Sequence, residues 1–392
     1  MKNSRKVTAI LLVFVLTAGM FLTSCVKKDN TAEASTAEAE SSVPAESSKE
    51  ESSKAESSKE ESSKPAESSK EESSAEESSQ IPVPEGNMNL LTGLYNLSDE
   101  AVGMRPVAIM INNHFDALPQ YGIAGADVMM EMLVEHGITR MMAIFGDNTV
   151  IPNVCSVRSC RPYYAEFACG FDAIYVHVGG SKAGNAMIAQ LGLADFDGQK
   201  GDYNMFDRDP DRLPYYALEH TMYFKGENAW WEIANYGYRE ELDEAHSTPW
   251  FNFRLPDDYQ SNTKDKAEHI RIDFSEDYYY TNLDYNAEDH KYYKLHSGNI
   301  HYDQSTGEQL AYTNILILQS DEYYSEDGYR HIDTMGGTGY YISNGTYEEI
   351  KWSRASEYDR IEVTSPDGKE ITMNAGTFYI GVVDYETPIT IE

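Results

Sequence analysis

The chain has few basic residues and few cysteines for its length. Its 392 residues include 31 Lys and Arg against 65 Asp and Glu, which gives a formal net charge of −34 at pH 7. A surface this acidic repels a phosphate backbone, so we expect no nucleic-acid partner. The four cysteines are not accompanied by a CxxC pair or a histidine pair with zinc-ligand spacing. We therefore predict no metal and no cofactor.

Familiar catalytic motifs are also missing. The sequence contains no G-x-S-x-G elbow, no H-E-x-x-H pair and no G-x-x-x-x-G-K-[ST] loop. Residues 207–218 begin like a calcium loop, but Arg212 and Leu218 stand where a glycine and a bidentate carboxylate are required. His301 and Asp303 lack a third partner and are interpreted as structural. We predict no catalytic residue; enzymatic activity stays open, and the sequence favours its absence.

The N-terminus carries a targeting segment. Basic residues within 1–6 precede an apolar run over 7–22, and Leu22-Thr23-Ser24-Cys25 fits the bacterial lipobox. A membrane-spanning helix would need about 20 apolar residues, which this run does not reach. We predict a lipoprotein signal peptide over 1–25 and acyl chains such as palmitate on Cys25. The mature protein would be lipid-anchored at the extracytoplasmic face of the cell membrane.

A low-complexity segment follows the lipobox. The tetrapeptide Glu-Ser-Ser-Lys recurs every five residues over 46–64 and again at 67–70. Such a segment has no apolar face to bury, so nothing offsets the entropy cost of ordering it. We predict a disordered Glu/Ser/Lys-rich linker over 26–86. Flexible-coil scaling gives this tether a reach of roughly 40 Å.

The next part of the chain alternates apolar runs with helical patterns. Four short apolar runs have the length and composition of buried strands: 105–112, 127–135, 140–145 and 173–178. Pro162 begins one helical pattern, and a second follows Gly179-Gly180-Ser181. We predict a mixed α/β N-terminal domain over 87–245.

The last part of the chain is mostly β in pattern. Residues 314–319 form a clear strand, and Asn344-Gly345 and Asp367-Gly368 are typical of turns. We predict a smaller β-rich C-terminal domain over 262–392, which places the whole chain in the α+β or α/β class. Its many tyrosines, such as Tyr278–Tyr280, are either half-buried sheet residues or a platform for sugars.

Three cysteines remain after Cys25, and three is an odd number. An extracytoplasmic protein can keep a disulfide, and Cys155–Cys160 or Cys160–Cys169 would be close enough in sequence. The other interpretation, which the sequence favours, is that these are buried free thiols.

Three arginines are concentrated in this acidic chain. Arg158 and Arg161 are three residues apart, and Arg140 lies on the preceding predicted strand. A guanidinium group presents a planar fork to carboxylate or phosphate oxygens, and the 179–181 turn precedes a helix, where backbone N–H groups can collect an anion. The arginines could therefore bind an external anion. The alternative, which the sequence slightly favours, is internal pairing with Asp127, Glu131 and Glu135.

Several stretches together resemble the uncharacterised YerB-like lipoprotein family. They occur in the family's order: Asn89–Leu94, Arg105–His114, Gly137–Arg140, Val157-Arg158-Ser159, Arg161-Pro162-Tyr163 and His177–Ser181. The resemblance covers nearly all of 88–392 and implies two joined domains of unknown function, with no established reaction. Cys160 stands where relatives have a small residue, which implies that its thiol is dispensable. Thr221 replaces an amide of the family pattern.

The leading hypothesis is a non-catalytic envelope lipoprotein that binds a ligand or partner. The candidate binding residues are Asn112, Asn113, His114, Arg140, Arg158, Arg161, Gly179, Gly180 and Ser181. The partner would be an envelope protein, an anionic ligand or a wall glycan, in addition to the membrane. One alternative is an envelope phosphotransferase loosely similar to LytR-CpsA-Psr enzymes, which act on polyprenyl pyrophosphate-linked glycans, although their P-R-D triplet is missing. Another is a wall-glycan-binding protein.

Overall fold

The computed structural model describes residues 84–201, 204–275, 278–325 and 328–392. The predicted signal peptide, Cys25 and all but the last three residues of the predicted tether lie outside these ranges. Among the described residues, no helix is both long enough and apolar enough to cross a membrane.

Within the described ranges, the segment up to residue 253 alternates strands with three short α-helices and six 3-10 helices of three residues each. The α-helices are α1 (Pro162–Gly170), α2 (Lys182–Leu191) and α3 (Ala229–Asn235). The strands are β1 (Val107–Asn112), β2 (Val128–Leu133), β3 (Thr139–Phe145), β4 (Val154–Cys155), β5 (Ile174–His177), β6 (Asp195–Asp197), β7 (Phe206–Arg208), β8 (Met222–Phe224) and β9 (Asn252–Phe253).

After residue 253, every regular element of the described chain is a strand, as the tyrosine-rich sequence with its regular turns predicts. The strands are β10 (His269–Ser275), β11 (Tyr279–Asn286), β12 (Lys291–His296), β13 (Asn299–Ile300), β14 (Ala311–Tyr312), β15 (Asn314–Ser320), β16 (Glu322–Tyr324), β17 (Arg330–Ile332), β18 (Gly336–Ser343), β19 (Thr346–Ser353), β20 (Glu362–Thr364), β21 (Thr372–Met373), β22 (Phe378–Asp384) and β23 (Ile389–Ile391).

One ten-stranded sheet contains strands from both the early and the late part of the chain. Its order is β20-β19-β18-β15-β22-β2-β3-β1-β5-β6. Strand β22 lies parallel to β2 on one side and parallel to β15 on the other, so it joins early and late strands. A second sheet has the order β13-β12-β11-β10-β23, with β14 pairing β12.

The large sheet is covered on both faces, and the alternation of side chains along β2 shows how. Met130 and Met132 belong to a core shared with helices α1 and α2. Met129 and Leu133 point to the other face and belong to a core shared with β10 and β11 of the second sheet. Since both faces are buried, the β2 sequence is almost continuously apolar, as expected for a strand in the middle of a covered sheet.

The predicted fold class is confirmed: few helices and mixed sheets in the first part precede a large β-rich part. The apolar runs predicted as strands correspond to β1, β2, β3, β5 and β15, and the helical patterns correspond to α1 and α2. The domain boundaries at 87–245 and 262–392 stay predictions.

Candidate functional site

The candidate residues lie along one edge of the large sheet. Strands β1 and β5 are parallel, so their C-terminal residues Asn112 and His177 share this edge, and Arg140 pairs with Asn112 at the start of antiparallel β3. The segment 156–160 lies between the two parallel strands: Arg158 N donates to Met110 O (3.0 Å), and Arg158 O accepts from Val178 N (3.0 Å). Ligands of open α/β sheets bind at this kind of edge.

Arg161 is held internally. Its Nε lies 2.7 Å from Oε1 of Glu135 and its Nη2 lies 2.5 Å from Oε2, a two-pronged ion pair whose side chains are 11% and 13% exposed. The guanidinium also donates to Cys160 O. Arg161 therefore pairs internally, which is the alternative that the sequence slightly favours.

The other two acidic residues expected to pair with arginines do not. Glu131 forms a buried ion pair with Lys294, with 3.1 Å between Oε2 and Nζ. Asp127 accepts a hydrogen bond from Gly146 N at 2.7 Å. Asp127 precedes β2 at the end of the strand away from Arg140, and Glu131 lies on the face of β2 opposite to Met132, the residue that pairs with Arg140. The prediction was therefore wrong for both.

Arg140 is buried beside the other two arginines. Its Nη1 donates to Ser159 O at 2.9 Å, and the residue is only 6% exposed. Burial, followed by the charges of Arg161 and Arg158, lowers the pKa of Arg140 to about 10. Even so, the guanidinium stays cationic near neutral pH and adds positive potential behind this edge.

The 179–181 turn serves the fold instead of collecting an external anion. Gly179 N already donates to Oδ1 of Asp197 at 2.7 Å. Ser181 accepts from Gly184 N at 2.9 Å and so caps helix α2. A Cβ on Gly180 would lie 2.5 Å from Sγ of Cys160, so close packing accounts for this glycine. The anion-collecting role expected for the turn is therefore taken by an internal carboxylate.

The Asn112-Asn113-His114 segment divides between buried and accessible positions. Asn113 is fully buried and donates to Oε1 of Glu131 at 3.0 Å. Asn112 Nδ2 lies 2.7 Å from Nδ1 of His220, and its Oδ1 accepts from His114 N. The His114 side chain is 37% exposed, and its ring stacks on His220 with 5.6 Å between centroids.

Arg158 is the accessible arginine of the group. Its side chain is 26% exposed, and its Nη2 lies 3.6 Å from Oε1 of Glu219, whose side chain is 58% exposed. Burial, and then the charge of Arg158, lowers the pKa of His220. Because Asn112 donates to Nδ1 of this neutral ring, its Nε2 carries the proton. We call Arg158, His114, His220 and Asn112 the Arg158 site.

Two family profiles match the chain. "Protein of unknown function (DUF3048) N-terminal domain" matches residues 91–239, and "Protein of unknown function (DUF3048) C-terminal domain" matches residues 270–380. The chain belongs to the DUF3048 family.

A relative and a solved structure agree with the DUF3048 assignment. The chain is 30% identical over 299 residues to "Putative lipoprotein YerB" of Bacillus subtilis (strain 168), which covers 75% of this chain and 85% of that one. The crystal structure of YerB from the same organism superposes with a TM-score of 0.66 at 28% identity and covers 76% of this chain and 98% of its own. The resemblance to YerB-like lipoproteins is confirmed.

One residue of the Arg158 site in this DUF3048 chain escaped prediction. His220 directly precedes Thr221, where the chain departs from the family pattern. Its partners come from residues 112 and 114, more than a hundred positions earlier. A histidine next to a family-pattern position is the one local signal that the sequence offered.

Two groups of side chains in the described part of this DUF3048 chain could hold a metal ion. In one, ligand atoms of His114, Asp116 and His220 lie within 4.8 Å of one another. The hydrogen bond from Asn112 occupies Nδ1 of His220, and the charge of Arg158 opposes a bound cation there. The second group contains Asp172, which already pairs with Arg105 and Arg239. The absence of a metal stays a prediction.

The three described cysteines of the DUF3048 chain are free and buried. Burial raises the pKa values of Cys155 and Cys169 to about 11 and that of Cys160 to about 12. At neutral pH these groups are therefore thiols, which are weak nucleophiles and poor metal ligands. The interpretation as buried free thiols is confirmed, and neither candidate disulfide forms.

Proposed function

We propose that this DUF3048 protein is a lipid-anchored, extracytoplasmic binding protein that takes an acidic group of an envelope ligand or partner at the Arg158 site. The lipobox ending at Cys25 and the name of the YerB relative support the anchor and the location. The acidic group would be a carboxylate or a phosphate, because these are the groups that a guanidinium fork recognises.

The contact between Arg158 and Glu219 carries the proposal. Unlike the short, two-pronged pair of Arg161 and Glu135, it joins one nitrogen to one oxygen at 3.6 Å and is open to solvent. Exposed pairs of this kind contribute about 0–1 kcal/mol. An external acidic group can therefore replace Glu219 at small cost.

The surroundings of Arg158 favour an anion over other ligands. Arg161 lies close enough to Arg140 and Arg158 for its positive charge to lower the pKa of both. The neutral His220 ring and the half-exposed His114 ring add N–H donors beside the guanidinium.

Titration with inorganic phosphate tests the proposal on the full chain in detergent. The measurement is the shift of the His114 and His220 ring signals in NMR spectra of protein with isotope-labelled histidine. We expect a saturable shift for the wild type and its loss in Arg158→Ala, because the guanidinium supplies the charge that holds the anion. Co-purification from solubilised membranes would then show which envelope components depend on Arg158.

Arg271→Ala is the matched control. Arg271 is another half-exposed arginine paired with one carboxylate, Asp273, but it lies on the second sheet. This variant should keep the wild-type shift. If phosphate moves the two histidine signals equally in Arg158→Ala and in wild type, the Arg158 site does not bind anions and the proposal fails.

A further inference from the structure

A cavity of about 220 Å³ lies at the end of β12, and none of the residues of the Arg158 site line it. Its lining includes Leu118 and Pro119 from the loop after β1, His296 from β12, and the segment Ile300-His301-Tyr302. A single water needs only about 10–15 Å³ of such space. The cavity is therefore large enough for a small organic molecule.

His296 is a polar residue without polar partners. It is 2% exposed, and among the described residues neither Nδ1 nor Nε2 has a hydrogen-bond partner. Buried polar atoms almost always have partners, because an unmade hydrogen bond costs about 1–3 kcal/mol. Both nitrogens belong to a side chain that lines the cavity, so a ligand in the cavity could supply the missing bonds.

His301 offers a third nitrogen with a defined role. Its Nε2 lies 2.9 Å from Oε1 of Gln120. Gln120 uses its amide nitrogen to donate to Asn112 O at 2.9 Å, so its oxygen is the acceptor and Nε2 of His301 carries the proton. Nδ1 of His301 is then a bare acceptor, and it has no partner among the described residues.

Both rings are uncharged. Burial, and then the charge of Lys294, lowers the pKa of His296 to about 4 and that of His301 well below its usual range. Together the rings offer one N–H donor and two lone-pair acceptors. The residues that line the cavity include no Lys, Arg, Asp or Glu, so nothing in the lining would balance a charged ligand.

Apart from the amide of Asn299, the remaining walls are apolar or aromatic. Leu118 and Pro119 form one side, and the exposed parts of Ile300 and Tyr302 stand at the opening. Phe115 packs against the His296 ring with 5.0 Å between centroids. A ligand that fits has apolar faces and neutral groups that both donate and accept hydrogen bonds.

We propose that this cavity binds one saccharide unit of an uncharged glycan, with His296 and His301 bonding its hydroxyl groups and Tyr302 covering a face of the ring. Hydroxyl groups both donate and accept, which matches the nitrogens of two neutral imidazoles. A carboxylate or phosphate would find no cation in the lining. A transition metal would find only two imidazoles, beside the ammonium group of Lys294.

Binding of monosaccharides and their N-acetylated forms to the full chain in detergent tests the proposal, measured by saturation-transfer NMR and calorimetry. We expect at least one sugar to bind the wild type in the millimolar range or tighter. His296→Leu, which keeps the size and removes both nitrogens, should weaken binding about tenfold. Tyr302→Ala should weaken it about fivefold, and because Tyr302 is 40% exposed this variant is expected to fold.

His269→Leu is the matched control, since His269 is an exposed histidine on β10 of the same sheet and should not affect sugar binding. Arg158→Ala should also leave it unchanged, which separates this cavity from the Arg158 site. The proposal is overturned if no sugar binds, if His296→Leu and Tyr302→Ala bind sugar as the wild type does, or if the cavity takes zinc through His296 and no sugar.

Discussion

At the scale of single residues, Glu219 is the internal carboxylate that competes with a ligand for Arg158. Its oxygen lies 3.6 Å from the guanidinium, and more than half of its side chain is in solvent. Glu219→Gln removes the competing charge while keeping the shape. We expect phosphate to bind the Arg158 site roughly two- to fivefold more tightly in this variant, because an exposed pair is worth at most about 1 kcal/mol. The histidine NMR titration measures the change.

Glu227→Gln provides the control for net charge. Glu227 is exposed and lies in the same region of the chain, so its replacement alters the total charge equally without touching Arg158. If both variants gain affinity equally, the effect is a general one of charge, and Glu219 does not compete for the arginine.

The buried His296 makes stability depend on pH. Its pKa is about 4 in the folded protein, against 6.5 for the free side chain. Between these values the unfolded chain takes up a proton that the folded chain does not, so the free energy of unfolding falls as pH drops from about 6.5 towards 4. The loss from this residue by pH 4.5 should be about 2–3 kcal/mol.

Urea denaturation at pH 7 and pH 4.5 measures this loss. His296→Leu should lose less stability than the wild type over the interval, because it has no proton to take up. His269→Leu, whose side chain is exposed, should behave as the wild type does. An identical pH dependence in all three proteins would show that His296 titrates normally.

Individual residues differ in how far the sequence revealed their roles. The sequence predicts that Arg140, Arg158 and Arg161 gather, because Arg158 and Arg161 are three residues apart and Arg140 lies on the preceding apolar run. Whether each arginine pairs internally could not be predicted, since Glu135 and Glu219 reach Arg161 and Arg158 only through tertiary structure. His296 and its cavity leave no signal in the sequence, because an inward-facing histidine on a strand has the same pattern as any other core residue.

At the scale of elements, the ion pair between Glu131 and Lys294 joins the two sheets. Glu131 lies on β2 and Lys294 on β12, and both side chains are at most 1% exposed. Thr281 and Tyr379 also donate to Oε2 of Glu131, at 2.9 Å each. Burial opposes the ionised carboxylate, but Lys294 and these hydrogen bonds outweigh it, and the pKa of Glu131 is lowered.

Lys294→Met should destabilise the protein by about 3–5 kcal/mol, because it leaves the Glu131 charge buried without its partner. Lys291→Met, on the same strand but exposed, should change stability by less than about 0.5 kcal/mol. Adding Glu131→Gln to Lys294→Met should recover part of the loss. Urea denaturation measures all three. If the double variant is no more stable than Lys294→Met alone, the cost does not come from an unpaired charge.

The elements also show which parts of the fold are readable from sequence. The apolar runs of β1, β2, β3 and β5 are local signals, and hairpin pairs such as β18 and β19 follow from the Asn344-Gly345 turn between them. The position of β22 between β2 and β15 is different. It pairs residues 128–132 with 378–382, and parallel neighbours so far apart in sequence leave no local trace.

At the scale of the whole molecule, the shared sheet ties the two halves into one folding unit. Removing β22 would leave an open edge on β2 and another on β15, and each edge would expose unpaired backbone groups. The two family profiles match the chain before residue 240 and after residue 269. The sheet nevertheless joins the two matched regions, because β22 forms hydrogen bonds with both β2 and β15. Independent unfolding of the halves would require this sheet to be split.

We therefore expect the described part of the chain to unfold in one cooperative transition, although a protein of two independent domains would show two. Trp352 reports on the late half, and Trp250, stacked on Phe171 at 3.9 Å, reports on the early half. Urea unfolding of Trp352→Phe, and of a variant that keeps only Trp352, is followed by tryptophan fluorescence. Circular dichroism on each variant gives its overall transition as an internal control. Fluorescence and dichroism midpoints should coincide in both variants, and a separate, earlier fluorescence transition in either one would mean that β22 does not couple the halves.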